Sequence, residues 1–151
     1  NILIDTGGKL FDDSNYISNN IIIPYVKSLG IKKIDYLILT HGDYDHMGEA
    51  LNLVKNFKID NVVFNCGDNN NLEKKQIELL ENTNINYDSC INELKINKYK
   101  LQFLKTKVYD NENDNSSVIY LNYNKYKFLF MGDAGIEKEN DILAKYNLNL
   151  S

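Results

Sequence analysis

The chain has 151 residues, 43% hydrophobic and 25% charged, which is the balance of a globular protein with room for one real core. No apolar run approaches the length of a membrane span, and no signal-like segment opens the chain. The formal charge of −4, with lysine as the sole strongly basic residue type, argues against a general nucleic-acid-binding surface. Divalent ions at the carboxylates would offset much of that charge.

Residues 1–5 read as a strand and Thr6-Gly7-Gly8 as the turn that ends it. A chain that starts inside a strand is expected to be a piece of a longer protein. Residues 9–20 are polar and irregular. Ile22 to Leu29 carry apolar residues at helical spacing, with Pro24 in the first turn and Gly30 as the C-terminal cap. Asp35 to Thr40 is an apolar strand of the kind covered on both faces. Glu49 to Phe57 reads as a helix, Asn61 to Asn65 as a strand, and Leu72 to Glu81 as an amphipathic helix with Lys74 and Lys75 on its solvated face. Asn69 to Asn71 are expected to form a mobile tip.

Short strands follow at 85–87, 93–96 and 99–104, then a polar loop over 107–116. Ser117 to Tyr123 and Tyr126 to Met131 read as a hairpin, and Ile136 to Tyr146 as a last helix. The order predicts one domain over 1–151, an α/β fold with a mixed sheet flanked by helices. Cys66 and Cys90 form no CxxC pair, and the favoured reading is two free thiols, with a disulfide as the alternative.

The residues that carry chemistry stand at predicted strand ends, where ligand sites gather in open α/β sheets. His41-Gly-Asp-Tyr-Asp-His46 holds both histidines of the chain and two carboxylates, directly after the apolar strand. Imidazole and carboxylate bind hard and borderline divalent cations, and a tight loop can aim several such groups inward. His41 and Asp43 can flank one ion, Asp45 and His46 a second, and Asp133, from another strand, can bridge them. The bland alternatives are a polar cap for the loop, an N-cap role for Asp133 and a turn role for Asp114. Tyr44 can either face substrate or simply pack.

Thr40-His-Gly-Asp-Tyr-Asp-His-Met-Gly48 resembles the THxHxDHxG signature of the metallo-β-lactamase superfamily. Ile2-Leu-Ile-Asp-Thr-Gly7 resembles that superfamily's first motif and Phe128-Leu-Phe-Met-Gly-Asp133 its fourth, in the family's order. Asp43, where most members have a second His, is similar to the hydrolase domain of ComEC-type competence proteins, which carry DNA into bacterial cells. Asn113-Asp-Asn-Ser-Ser-Val118 adds to that similarity.

The resemblance implies an αβ/βα sandwich, here truncated at both ends. It implies His41 and Asp43 as ligands of a first ion, Asp45 and His46 as ligands of a second, and Asp133 as the bridge. Asp45 is the implied catalytic residue that orients the attacking water, and Asp5 supports the loop through hydrogen bonds. The family's third-motif His is missing, with Asp114 or Asn113 as its substitute, and no fifth motif follows Asp133. Two divalent ions (Mn²⁺, Mg²⁺ or Zn²⁺) are implied, with partial or no occupancy expected in this piece. An Asp-rich first site favours the harder ions.

The expected activity is metal-dependent phosphodiester hydrolysis, with DNA as substrate and any membrane attachment lying in other regions of a DNA-uptake protein. The alternatives are a hydrolase of a small ester or lactone and a non-catalytic scaffold with a degenerate site.

Overall fold

The computed structural model describes residues 1–9 and 17–148. Part of the irregular stretch at 9–20 therefore lies outside the described residues. Four parallel strands form the first sheet in the order β1 (Ile2–Ile4), β2 (Tyr36–Ile38), β3 (Asn61–Phe64) and β4 (Asn86–Ser89). Between them run α1 (Ile23–Ser28), α2 (Tyr44–Met47), α3 (Ala50–Asn56) and α4 (Asn71–Thr83). Four antiparallel strands form the second sheet: β5 (Glu93–Ile96), β6 (Tyr99–Phe103), β7 (Ile119–Tyr123) and β8 (Tyr126–Phe130). The chain then enters α5 (Ile136–Lys145).

The strands are thus split between a parallel and an antiparallel sheet, not joined in the single mixed sheet expected from element order. Side-chain alternation explains how the sheets stack. Leu37, Leu39, Val62 and Phe64 pack with α1, α3 and α4, whereas Ile38 and Val63, facing the other way, pack with Leu94, Leu101, Phe103 and Ile119 of the second sheet. On the far side of that sheet, Leu104 and Val118 meet Ile142 of α5. The layers are helix, sheet, sheet, helix, as the αβ/βα expectation required. β2 is buried on both faces, which is why it reads as an unbroken apolar run. On the edge strand β8, Leu129 packs inward while Tyr126, Phe128 and Phe130 are exposed.

Most boundaries fall within two residues of expectation, and the exceptions have local causes. The first helix starts earlier, as a π-helical turn over Ser18–Ile22 that continues into α1. The Ser18 hydroxyl and amide both donate to the buried Glu49 carboxylate, which anchors that turn. Asn70 belongs to no loose tip: its side chain accepts from the Leu72 and Glu73 amides while Glu73 accepts from the Asn70 amide, a reciprocal capping box that starts α4.

Cys66 and Cys90 are joined in a disulfide, against the favoured reading of two thiols. Each follows one of two adjacent parallel strands, β3 and β4, whose register pairs Phe64 with Ser89 and brings the cysteines to a Cα separation of 4.5 Å. That register is a tertiary fact with no trace in cysteine spacing. The bridge closes a loop across a separation of 24 residues. Its loss in Cys66→Ser/Cys90→Ser should lower stability by about 3 kcal/mol, or roughly 10 °C in melting temperature. Thermal unfolding of both forms, with and without reductant, checks this, and reductant should not shift the double variant.

Candidate metal centre

The site is built on the hydrogen bonds of one carboxylate. Asp5, just past β1, has a left-handed backbone (φ 56°) that turns its side chain toward the end of β2. Its Oδ1 accepts from the Thr40 amide at 2.8 Å, and its Oδ2 accepts from the Thr40 hydroxyl at 2.7 Å. The same Oδ2 lies 2.8 Å from His46 Nδ1. The following turn grips His46 through its backbone, since the Thr6 and Gly7 amides both donate to the His46 carbonyl. A Cβ on Gly8 would come within 2.2 Å of the Tyr44 carbonyl oxygen, so only glycine allows this turn to close against α2.

These bonds determine which ring nitrogens remain open. The single hydroxyl proton of Thr40 goes to the Asp5 carboxylate, which can only accept. His41 Nδ1, 3.1 Å from that hydroxyl oxygen, must then be the donor. Neutral His41 therefore presents a bare Nε2, and this atom is fully buried without a hydrogen-bond partner. A buried polar atom left in that state costs about 1–3 kcal/mol. His46, donating to Asp5 through Nδ1, likewise points Nε2 into the site, 3.0 Å from Asp133 Oδ1.

Donor atoms of His41, His46 and Asp133 all lie within 4.8 Å of one another, the one such donor group among the described residues. Asp43 Oδ2 stands 3.7 Å from His41 Nε2, and Asp45 Oδ2 stands 4.0 Å from His46 Nε2. Burial grades outward, from His41 with no exposure through His46 at 19% to Asp133 at 39% and Asp45 at 73%. An orphaned buried imidazole nitrogen facing a second imidazole and a carboxylate fits a divalent cation. His46 has its pKa raised: burial opposes the charged form, but the bond to Asp5 and the charges of Asp5, Asp133 and Asp45 outweigh it.

The 113–117 segment reaches the site as a brace. Ser116 Oγ accepts from the Asp133 amide, and the Ser117 amide donates to the Thr40 carbonyl, so one loop ties β8 to the end of β2. The Asn115 side chain bonds both the amide and the carbonyl of Tyr109. Asp114, the expected substitute for the third-motif ligand, is not in the donor group. Its Oδ1 instead accepts from the Gly135 amide at 2.8 Å, at the N-terminal end of α5. Lys138, buried with its pKa pushed down to about 8 by desolvation, donates to the Ser116 carbonyl from behind.

Tyr44 lies on the rim at 41% exposure. Two site neighbours escaped the sequence reading. Glu112 accepts from the Gly42 amide, and Glu73 is buried beneath the loop. Neither has a spacing signal, because each meets the loop only through the fold.

The metallo-β-lactamase superfamily model matches residues 1–65, the segment that carries β1, the Asp5 turn and the His41–His46 loop. The chain is 40% identical over 75 residues to ComE operon protein 3 of Bacillus subtilis (strain 168). Residues 1–65 are thus similar to the metallo-β-lactamase superfamily over the segment that holds the candidate site. The match to the Bacillus protein covers 44% of this chain and 10% of that protein, so this domain corresponds to a small part of that relative. A solved structure described as a new diphosphatase from the PhnP family aligns over 83% of this chain and 46% of its own, at a TM-score of 0.39 and 13% identity. No helix among the described residues is long and apolar enough to cross a membrane.

Two measurements probe this network. Asp5→Asn should lower the His46 pKa and weaken divalent-ion binding about 10- to 100-fold, as loss of a ligand's supporting partner does. NMR titration of the metal-free protein and calorimetric Mn²⁺ binding read the two effects. Glu73 has its pKa raised from 4.5 to about 7, chiefly by burial and further by Glu112 and Asp43, against its hydrogen bond to the Asn70 amide. A folded-state pKa above the unfolded one stabilises at low pH, and that contribution fades as pH rises through about 7. Between about pH 5 and pH 8 the wild type should lose up to roughly 3 kcal/mol that Glu73→Gln does not lose. Urea unfolding across that range checks it.

Proposed function

We propose that this domain hydrolyses phosphodiester bonds of DNA in a DNA-handling protein, using divalent ions held by His41, Asp43, Asp45, His46 and Asp133. The observation that carries the reading is the bare, buried Nε2 of His41 turned toward His46 and Asp133 with Asp43 beside it. The similarity to ComE operon protein 3 and the ComEC-like aspartate at position 43 support DNA as the substrate.

The roles follow from position. His41 and His46 offer fixed nitrogens because their opposite ring atoms are engaged by Thr40 and Asp5. Asp133, held through its amide by Ser116, closes the donor group from the second sheet. Asp43 makes the His41 side harder and more anionic, which suits Mn²⁺ or Mg²⁺ better than an all-histidine site would. Asp45, the most exposed of these carboxylates, would orient a water and accept its proton on the solvent side. Bound divalent ions would supply the positive charge that stabilises attacking and leaving oxygens and acidifies water. Asp5, Asp43, Asp45 and Asp133 would otherwise repel a polyanion, so activity should be strictly metal-dependent.

The intact protein should degrade single-stranded DNA with added Mn²⁺ and not with chelator. Asp43→Ala and Asp133→Ala should each lower kcat/KM by about 100-fold or more, the scale on which loss of one electrostatic partner acts. Full nuclease activity in both variants would overturn the assignment. Metal-dependent cleavage of esters or lactones without DNA cleavage would replace the substrate, and absence of bound metal under replete conditions would leave a scaffold.

A further inference from the structure

Gly42 separates His41 from Asp43, and its peptide is held from both sides. Its amide donates to Glu112 Oε1 at 2.8 Å, and its carbonyl accepts from Asn70 Nδ2 at 2.8 Å. The amide lies in the peptide plane that joins residues 41 and 42, and the carbonyl in the plane that joins 42 and 43. Fixing both planes fixes how the His41 and Asp43 side chains leave the backbone relative to each other. That geometry sets the 3.7 Å between His41 Nε2 and Asp43 Oδ2.

Neither clamping residue belongs to the loop it holds. Asn70 caps α4, and because its Oδ1 already accepts from the Leu72 and Glu73 amides, its Nδ2 must face the Gly42 carbonyl. Glu112 arrives from the segment between β6 and β7, separated from Gly42 by 70 positions, and makes a charge-assisted bond to the amide. A Cβ at position 42 would lie 2.1 Å from Asn70 Nδ2, so the clamp closes only on glycine.

We propose that Glu112 and Asn70 are positioning residues that aim His41 and Asp43 at a shared divalent cation, an inference that rests on the metal reading of the site. They touch neither cation nor substrate and act through the Gly42 peptide.

Calorimetric Mn²⁺ binding to the intact protein tests this. Glu112→Ala should weaken Mn²⁺ binding about 10- to 100-fold, the usual effect of removing an outer partner of a ligand. Glu112→Gln, which keeps an acceptor, should recover part of the loss. Asn70→Ser keeps an N-cap oxygen but loses the donor to Gly42, and should also weaken binding without abolishing α4. In an Asp43→Ala background, Glu112→Ala should cause a smaller further loss, because only the His41 arm of the clamp is left to misaim. A merely structural Glu112 would give equal losses in both backgrounds, and that result would overturn the proposal. So would Glu112→Ala and Asn70→Ser variants that bind Mn²⁺ within about twofold of wild type. If the wild type binds no Mn²⁺, the metal reading falls and takes this inference with it, whereas normal wild-type binding with unaffected variants removes the clamp alone.

Discussion

The site depends on the carboxylate of Asp5. One oxygen receives the Thr40 amide at the point where β2 ends; the other receives the Thr40 hydroxyl and faces His46 Nδ1. Because Thr40 spends its only proton there, His41 must donate to Thr40, and the proton positions of both imidazoles follow from a residue that touches only one of them. The left-handed backbone at Asp5 is a local cost of order 1 kcal/mol. It is offset by three hydrogen bonds to a charged acceptor, each stronger than a neutral bond.

The two sheets bring the remaining donor into place. β2 and β7 lie in different layers, yet the Ser117 amide bonds the Thr40 carbonyl, so the sheets are tied at the end where both deliver functional residues. Ser116 then fixes the amide of Asp133, Asp114 fixes the start of α5, and Lys138 closes the same loop from the core side. A segment that reads as a donor-rich motif thus works through its backbone bonds and hydroxyl. The bonds it makes are those that would keep Asp133 within reach of His46 while the sheets breathe.

Much of this was legible in the chain. The unbroken apolar β2 and the crowding of both histidines into one loop each follow from local pattern, and the structure keeps them. What escaped was the product of register and crossing. Cys66 and Cys90 meet because two parallel strands pair in one particular alignment. For Asn70 the cap with Glu73 was a local pattern passed over, and only its contact with Gly42, 28 positions away, needed the fold. Asp114 drew attention as a carboxylate near a motif, although what decides its role is the Gly135 amide 21 positions away.

The charge balance of the site makes a proton and the proposed cation competitors for the same place. Asp5, Asp45 and Asp133 all favour a charged His46, strongly enough to overcome the penalty of its burial. In the protonated form, the extra proton sits on Nε2, facing Asp133 Oδ1 at 3.0 Å. A cation at the same nitrogen would have to displace that proton, so affinity should rise with pH and binding should release protons. His41 is different: its Nε2 is buried with no hydrogen-bond partner, and Asp43 Oδ2 stands 3.7 Å away. The two histidines therefore divide the work. His46 balances the charge of the surrounding carboxylates, and His41 presents a buried nitrogen with no hydrogen-bond partner, the atom that most favours the metal reading of the site.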